Sequence, residues 1–364
     1  MPNRAVLRIA FAIENHLGHR AVAANLRSQL ADRTEIDPIW IPINARGNGI
    51  IDRIPQLRDK HALVLALSAR RGLREAERNG KIDIAFLHTQ RMAHLLVPWM
   101  RRTPTFLSID STPVALEQYR ALEGGGLPAG SRYALIRDAV HRRTYHASRG
   151  VICMSELVQR TIVDQYGVPE ERTLVLWPGV DLQKWSPSRQ SRADGSVLRL
   201  LFVGGDFNRK GGPLLLRWAH ENSHLPCLID VVTEQAISAP RNVCVHTGIA
   251  PNDPRLLKLM ADADLLVLPT LADMSPWVVV EAKASGKPSL TTKVGALPEM
   301  VRDGYDGWLI PPGDYLALDN QLKALIADPS PLLEFGARAR VDAELRFSSK
   351  RNSERLLDFM REFR

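Results

Sequence analysis

Residues 265–290 read LLVLPTLADMSPWVVVEAKASGKPSL, and this stretch decides the fold class. It begins with an apolar run typical of a buried strand, after which Ser275 predicts a helix N-cap and Pro276 the first helical residue. Gly286 and Pro288 then predict the end of that helix and the start of a second apolar run. A strand, a buried helix and another strand in this order predict a parallel sheet covered by helices.

The same alternation runs along the whole chain and predicts an α/β fold. Short apolar runs rich in β-branched residues are each followed by helix or turn signals. The candidate strands of the first half are Val6–Ile13, Ile36–Ile43, Ile82–His88, Thr105–Ile109, Gly150–Met154 and Thr173–Leu176. Those of the second half are Leu198–Val203, Leu228–Thr233, Val243–Thr247, Leu265–Pro269 and Pro288–Thr292.

The length of the chain predicts two domains. Its 364 residues exceed the roughly 250–300 residues at which a single hydrophobic core stops growing. We expect a Rossmann-like domain over residues 1–180, a polar linker over 181–196 and a second Rossmann-like domain over 197–345. Open α/β sheets bind ligands at the carboxyl ends of their strands, so two such domains facing each other would form a cleft for chemistry.

Composition excludes several classes of protein. The chain is 45% hydrophobic and 24% charged, which is ordinary for a globular protein and unlike a disordered, collagenous or coiled-coil chain. Its apolar runs fall far short of the ~18 residues that a membrane span needs. The N-terminal apolar run is too short for a secretory signal, so we expect a cytoplasmic protein.

Charge and cysteine content narrow the partners. The 48 basic and 40 acidic residues give a net charge of +8, which favours anionic partners such as phosphates, nucleotides or a membrane face. Basic residues are dispersed and not interleaved with aromatic residues, so we expect no nucleic-acid binding. Cys153, Cys227 and Cys244 lie in strand-like runs without zinc-ligand spacing, so neither a disulfide framework nor structural zinc is expected.

A glycine-rich turn follows the first strand of the second domain, where residues 200–213 read LLFVGGDFNRKGGP. Gly204 and Gly205 allow the backbone to approach a ligand closely. Arg209 and Lys210 can neutralise a phosphate just before the next helix. The spacing matches neither the P-loop nor the dinucleotide-binding fingerprint. An ordinary turn with solvated charges is the alternative.

The helix after Pro276 offers a second feature suited to an anion. Its free N–H groups and its dipole would favour a diphosphate. Glu281 lies inside an apolar segment, where a carboxylate is costly unless it accepts hydrogen bonds. The two vicinal hydroxyls of a ribose would supply them. The alternative is that the Glu281 side chain snorkels towards solvent or pairs with Lys283 or Lys287.

Three segments of residues 197–314 resemble glycosyltransferase family 4, whose members are retaining enzymes with the GT-B fold that use nucleotide sugars. The segments read FVGGDFNRKGG, ADLLVLPTLADMSPWVVVEAKASGKPSL and GALPEMVRDGYDGWLIPPGD. Residues 151–187 are similar to the interdomain segment of that family, with Pro178 where asparagine is usual. The resemblance implies two doubly wound Rossmann-like domains facing across a cleft. It also implies a C-terminal helix, residues 346–364, that packs back on the N-terminal domain.

The resemblance further implies roles in the donor domain. The family has two glutamates separated by seven residues, and here Asp273 and Glu281 stand at that spacing. Glu281 would bind the donor ribose, and Arg209 and Lys210 would bind the diphosphate. Asp273 would bind hydroxyls of the transferred sugar, whose identity its shorter side chain leaves open. The expected donor-binding residues are Gly204, Gly205, Arg209, Lys210, Asp273, Met274, Ser275, Trp277, Val278 and Glu281.

On the acceptor side, the resemblance implies roles for Gly18, His88 and Asp110. Gly18, in the segment ENHLGHR, matches one glycine of a family doublet, and His88 is similar to a histidine of the family's cleft. Asp110 stands where many members place a histidine beside the reacting sugar. A structural His88 at a strand end and a turn-capping Asp110 are the alternatives. The expected catalytic residues are Asp110, Arg209, Lys210 and Asp273.

We therefore expect a GT-B glycosyltransferase that moves a hexose from a nucleotide diphosphate with retention, without cofactor or metal. Asp262 and Asp264 form the DxD pattern of metal-dependent glycosyltransferases, but their place between a helix and a buried strand predicts a polar corner. The expected acceptor is a sugar, a glycan or a lipid-linked molecule, with peripheral contact to an anionic membrane left open. A non-catalytic nucleotide-sugar-binding subunit and a nucleotide-sugar epimerase remain alternatives.

Overall fold

The computed structural model describes residues 6–15, 17–44, 61–122, 131–187 and 197–364. The chain forms two compact units. Unit 1 comprises Met1–Trp177 and Lys350–Arg364, and unit 2 comprises Pro178–Ser349. Within the described ranges, no helix has both the length and the apolar character that a membrane-spanning helix needs.

Unit 1 is built on a parallel sheet of six strands covered by helices. Its strands are β1 Leu7–Glu14, β2 Ile36–Ile43, β3 Ile84–His88, β4 Thr105–Ile109, β5 Gly150–Cys153 and β6 Thr173–Val175. Its helices are α1 Leu17–Leu30, α2 His61–Arg78, α3 Val97–Met100, α4 Pro113–Leu122, α5 Arg132–Ala147, α6 Glu156–Asp164 and the C-terminal α13 Ser349–Glu362. In the strand order β2-β1-β3-β4-β5-β6, the chain moves outward from β1 to β2 on one side and from β3 to β6 on the other. The reversal point between β1 and β3 is where an open α/β sheet binds ligands.

The central strands of unit 1 are buried on both faces, which explains their continuous apolar sequences. Phe11 of β1 is fully buried, and its ring stacks on Trp40 of β2 with centroids 4.7 Å apart. The helix α13 contacts the same sheet, because Phe359 packs edge-on against Phe106 of β4. A Cβ on Gly150 would lie 2.6 Å from the ring of Phe359, so glycine is needed where this helix docks.

Unit 2 contains a second parallel sheet of six strands. Its strands are β7 Leu198–Val203, β8 Cys227–Val232, β9 Val243–His246, β10 Leu265–Leu268, β11 Ser289–Thr292 and β12 Gly307–Ile310. Its helices are α7 Gly212–Glu221, α8 Pro254–Asp262, α9 Trp277–Ala284, α10 Leu297–Met300, α11 Tyr315–Ala327 and α12 Pro331–Arg346. The strand order β12-β11-β10-β7-β8-β9 reverses between β7 and β10, the arrangement of a dinucleotide-binding Rossmann sheet.

These two sheets confirm the predicted α/β fold, with corrections to single elements. Ser275 is not the N-cap of helix α9: Pro276 occupies the cap position without a side-chain cap, and the helix begins at Trp277. The strand β12 was not among the predicted strands, because its sequence GWLI is short and only half-buried at a sheet edge.

Residues 178–187 belong to unit 2, although 181–187 were assigned to a linker from sequence. Val180 forms a bridge with Ser348, and the indole of Trp185 is buried. The guanidinium of Arg340 on α12 donates hydrogen bonds to the carbonyls of Leu182 (3.3 Å) and Trp185 (2.8 Å). One buried aromatic side chain and one half-buried guanidinium therefore hold a segment whose polar composition is typical of a linker. The remaining predicted linker residues, 188–196, lie outside the described residues.

Candidate functional site

The loops that follow β7 and β10 meet at the point where the unit 2 sheet reverses direction. The carbonyl of Arg209 accepts hydrogen bonds from the Leu271 amide (2.9 Å) and the Thr270 hydroxyl (3.2 Å). Gly211 has a φ of +79°, and a Cβ there would lie 1.9 Å from the carbonyl oxygen of Pro269. Only glycine lets the two loops come this close. The glycine-rich turn therefore packs directly against the loop after β10.

Three charged side chains predicted for the donor site converge on these loops. The ammonium of Lys210 is ion-paired with the carboxylate of Asp273. Arg209 Nη1 lies 4.0 Å from the same carboxylate and donates to the carbonyl of Ala272 at 2.7 Å. A Cβ on Gly204 would lie 2.9 Å from the Lys210 side chain, so that glycine makes room for the lysine. Most of the Lys210 side chain is shielded from water, unlike the solvated lysine of an ordinary turn.

The loop that carries Asp273 is also held from its other side. The carbonyl of Met274 accepts a hydrogen bond from the Ala296 amide at 2.9 Å. Gly295 has a φ of +55°, and a Cβ there would lie 2.0 Å from the carbonyl of Asp273. Ser275 is half-buried and leads into helix α9. The loop is therefore fixed by backbone contacts on two sides, which positions Asp273 independently of any ligand.

Helix α9 carries the remaining donor-side residues. Trp277 and Val278 form its first turn, with Trp277 half-buried and Val278 buried. Glu281 is buried one turn later, and this burial, opposed by the charge of Lys184, raises the pKa of its carboxyl group to about 7. The carboxyl group is thus poised between its neutral and ionised forms near neutral pH.

The alternative partners of Glu281 are engaged elsewhere. The ammonium of Lys283 is buried and paired with Asp306 at 3.0 Å and Asp342 at 2.8 Å. The ammonium of Lys287 donates to the carbonyl of Ala261 at 2.9 Å. The alternative in which Glu281 pairs with either lysine is therefore wrong, and its oxygens are not neutralised by α9 itself.

In unit 1, two histidines meet at the reversal point between β1 and β3. His19 near the start of α1 and His88 at the end of β3 share a hydrogen bond of 2.6 Å between Nδ1 and Nε2. The other ring nitrogen of His88 lies 3.0 Å from the hydroxyl of Ser108. Burial, together with His19, lowers the pKa of His88 well below its usual value, so this ring is neutral at physiological pH. Gly18 lies in the same first turn of α1.

His19 was not assigned a role from sequence. His19 can be identified from its position, because α1 follows β1 directly. The carboxyl ends of the adjacent strands β1 and β3 meet at one edge of the sheet. A polar residue at the start of α1 is therefore brought beside one at the end of β3. This relation requires the strand order, which the sequence pattern does not provide.

Asp110 follows β4 and does not cap helix α4. The hydroxyl of Ser111 donates to its carboxylate at 3.2 Å. The N-terminal cap of α4 is Thr112, whose hydroxyl oxygen accepts from the Ala115 amide at 3.2 Å. The turn-capping alternative for Asp110 therefore fails, because the neighbouring threonine supplies the cap.

The DxD pattern is engaged in structural contacts. The carboxylate of Asp264 accepts a hydrogen bond from the Arg199 amide at 2.8 Å, which joins the start of β10 to β7. The carboxylate of Asp262 pairs with Lys258 one helical turn earlier at 3.0 Å. These contacts support the interpretation of the pattern as a polar corner.

Two families account for most of the chain. Residues 6–184 match the family described as Glycosyltransferase Family 4, and residues 198–328 match the family described as Glycosyl transferases group 1. The chain belongs to glycosyltransferase family 4. The resemblance inferred from the sequence motifs is therefore confirmed, and the matches extend over the N-terminal part, where the motifs are weaker.

Curated relatives of this family 4 chain include D-inositol 3-phosphate glycosyltransferases. That of Geodermatophilus obscurus is 33% identical over 214 residues, which are 50% of this chain and 46% of that protein. That of Streptomyces bingchenggensis is 30% identical over 231 residues, which are 54% of this chain and 50% of that protein. The chain thus spans about half the length of the curated relatives it matches.

Solved structures share the fold of this family 4 chain at low sequence identity. Sucrose-phosphate synthase from Thermosynechococcus elongatus superposes with a TM-score of 0.78 at 16% identity, covering 98% of both chains. Anabaena Alr3699/HepE in complex with UDP and glucose gives a TM-score of 0.69 at 16% identity, covering 98% of this chain and 100% of that chain. These likenesses confirm the expected GT-B fold of two Rossmann-like units.

Proposed function

We propose that this protein transfers a hexose from a nucleotide diphosphate sugar to an acceptor hydroxyl, with retention of the anomeric configuration. Membership of family 4 supports the reaction class. The observation that carries the proposal is the convergence of Arg209, Lys210 and Asp273 at the reversal point of the unit 2 sheet. That point is where Rossmann-like sheets bind nucleotides.

The donor diphosphate would bind to the two cations and the start of helix α9. Breaking the sugar–phosphate bond leaves negative charge on the diphosphate, and Arg209 and Lys210 would stabilise that charge. The backbone N–H groups near Trp277 and Val278 add the positive end of the helix dipole. Gly204 and Gly205 would let the backbone approach the phosphates.

The two acids would bind the sugars of the donor. Glu281 is buried without a cation from its own helix, and two ribose hydroxyls would donate to its oxygens. Asp273 is paired with Lys210. A bound diphosphate would compete for this lysine, which would free the Asp273 carboxylate to accept hydrogen bonds from hydroxyls of the transferred sugar.

In the proposed reaction the acceptor oxygen bonds to the anomeric carbon as the bond from that carbon to the diphosphate oxygen breaks. The acceptor proton passes to the leaving phosphate, so the products are a glycoside and a nucleoside diphosphate. Attack from the side of the leaving group retains the configuration. Asp110 would stabilise positive charge on the sugar, while Gly18 and His88 would contact the acceptor, which is a sugar, a glycan or a lipid-linked molecule.

We propose that this reaction needs no metal ion, because two cationic side chains and a helix terminus supply the charge that a divalent ion would bring. Turnover should persist in excess EDTA. Loss of turnover that Mg²⁺ or Mn²⁺ restores would contradict this part of the proposal and would make Asp262 and Asp264 candidate ligands of that ion.

The deciding experiment is a screen of uridine, guanosine and adenosine diphosphate sugars by thermal shift, followed by product analysis with the donors that bind. A ligand at 100 times its Kd stabilises the fold by about 2.7 kcal/mol. The double substitution of Arg209 and Lys210 by alanine should lower turnover by roughly 30- to 1000-fold, while Arg217→Ala on the exposed face of α7 should not. Binding without turnover would support a non-catalytic subunit, and an altered free sugar nucleotide would support an epimerase.

A further inference from the structure

Three side chains with metal-binding donor atoms share one face of the unit 2 sheet, away from the donor residues. Asp230 of β8 pairs in register with Cys244 of β9, and His246 lies two residues further along β9. Because side chains alternate along a strand, all three point to the same face. They come from the edge strand β9 and its neighbour.

The donor atoms are close enough to bind a single ion. A carboxylate oxygen of Asp230, the sulfur of Cys244 and a ring nitrogen of His246 all lie within 4.8 Å of one another. One of these distances, 2.7 Å, joins His246 Nε2 to Asp230 Oδ1. The residues line a cavity of about 700 Å³, and the Cys244 residue is exposed. An ion can therefore enter from solvent.

The surrounding cations do not occupy the Asp230 oxygen that faces His246. Arg199 Nη2 lies 3.5 Å from Asp230 Oδ2, the oxygen that does not contact His246. Two further cations of the cavity are paired with acids of their own helix region: Arg255 with Asp253 at 2.7 Å, and Lys258 with Asp262 at 3.0 Å. Arg241 is the other cation of the cavity lining.

We propose that Asp230, Cys244 and His246 bind a divalent ion of borderline softness, with Zn²⁺ preferred. One carboxylate, one thiolate and one imidazole form a mixed O, S, N set that suits Zn²⁺. The ion replaces the hydrogen bond between His246 and Asp230, and the imidazole keeps its proton on the ring nitrogen that does not bind the ion. The thiol proton of Cys244 passes to solvent, and the carboxylate and thiolate together balance the two positive charges of the ion. Arg199, held on the outer carboxylate oxygen, orients Asp230. Solvent completes the coordination in the open position.

Binding at this site cross-links the edge strand β9 to β8. It shares no residue with the proposed donor site, and it takes no part in sugar transfer. Zinc was not expected from the sequence, because the cysteines lack the usual ligand spacing. Cys244 and His246 are separated by one residue, which in a strand places both on one face, and the third ligand comes from the neighbouring strand.

The test uses the full chain, stripped with EDTA and dialysed, then titrated with Co²⁺. We expect one bound Co²⁺ per chain with a thiolate-to-cobalt charge-transfer band in the near ultraviolet, and loss of that band when Zn²⁺ is added. Cys244→Ser should abolish the band, and His246→Ala should weaken Co²⁺ binding by at least roughly tenfold. Cys227→Ala and His224→Ala serve as matched controls and should behave as the unsubstituted protein.

Thermal unfolding gives a second readout that does not depend on cobalt. Zn²⁺ should raise the Tm of the unsubstituted chain and of both controls, and leave the Tm of Cys244→Ser unchanged. The proposal is overturned if the unsubstituted chain shows no charge-transfer band, or if the band and the Zn²⁺-dependent rise in Tm persist in Cys244→Ser.

Discussion

Lys210 and Asp273, which stand in loops after two adjacent strands of the unit 2 sheet, form an ion pair that is largely shielded from water. Their side chains are 14% and 12% exposed. Arg209 lies beside the pair but remains 43% exposed. Lys210 is therefore paired with a shielded carboxylate, whereas Arg209, which pairs with Asp206 at 3.0 Å, faces solvent.

This pairing predicts that Asp273→Asn separates donor binding from chemistry. Without the carboxylate, Lys210 is free for the diphosphate, so affinity for the nucleoside diphosphate should rise about fivefold, equivalent to ~1 kcal/mol. Turnover should fall by at least roughly 30-fold, because a contact to the reacting sugar is lost. Calorimetric Kd and steady-state kcat measure the two effects. Asp358→Asn on the exposed face of α13 is the control, and parallel losses in affinity and turnover would exclude the competition.

Glu281 predicts a pH dependence of donor binding. Its pKa of about 7 means that the carboxylate, the better acceptor for ribose hydroxyls, becomes dominant as pH rises through 7. Donor affinity should therefore increase between pH 6 and about 8, and Glu281→Gln should remove this dependence. A pH profile of Kd that is the same in both proteins would remove Glu281 from the donor site.

Glu281 also predicts a pH dependence of stability, opposite in direction to that of donor affinity. A folded pKa above the unfolded value of 4.5 means that the native state binds the extra proton, so stability falls as pH rises from 4.5 to about 7. Glu281→Gln, which carries no charge, should unfold at a higher temperature than the unsubstituted protein at pH 8. The two should differ little at pH 4, and a lower Tm of the variant at pH 8 would contradict the buried-carboxylate argument.

Asp110 and its neighbour Thr112 should respond differently to substitution. Thr112 caps α4, so Thr112→Ala should cost about 1 kcal/mol of unfolding free energy. Asp110→Asn keeps size and hydrogen bonding but removes charge, so kcat should fall while donor Kd and Tm stay near their original values. Denaturant unfolding and steady-state kinetics check both, and normal turnover of Asp110→Asn and Asp110→Ala would exclude a catalytic role.

The buried ammonium of Lys283 should be essential for the stability of unit 2. It bridges Asp306, in the turn before β12, and Asp342 of α12, and both carboxylates are almost fully buried. Lys283→Met would leave buried carboxylates without this partner, at a cost of about 3–5 kcal/mol. Lys287→Met on the same chain segment removes a single hydrogen bond to a carbonyl and should cost far less. Equal midpoints of urea unfolding for the two variants would contradict this assignment.

His94 and His141 predict acid sensitivity of unit 1. Burial, with smaller contributions from neighbouring positive charges, lowers their pKa values to about 4 and about 3. The unfolded state therefore binds protons first, and stability is lost as pH falls below 6.5 towards 4. At pH 5 each histidine should lower the unfolding free energy by on the order of 1–2 kcal/mol. Replacing both with glutamine should flatten the pH dependence of the unfolding free energy, and His220→Gln should not.

The sequence alone determined the fold class and indicated the candidate donor residues. Apolar runs alternating with helix signals report burial on both faces of a parallel sheet, and glycine positions report backbone geometry that other residues cannot adopt. Both are local properties, so the glycine-rich turn and the buried Glu281 could be recognised from the residues themselves, whereas Asp273 was assigned from the resemblance to the family's spacing of two acids. The start of helix α9 was misplaced by one residue, because serine and proline are both favourable near a helix start.

Tertiary structure decided which polar groups meet. The pairing of Lys210 with Asp273, the contact of His19 with His88, and the capping of α4 by Thr112 in place of Asp110 all depend on strand order and loop packing. The grouping of Asp230 with Cys244 and His246 depends on the register of two strands. Sequence spacing carries the period of one element, but the distance between two elements is set by the packing of the core. The pairing of charged and polar groups in both candidate sites could therefore be determined only from the tertiary structure.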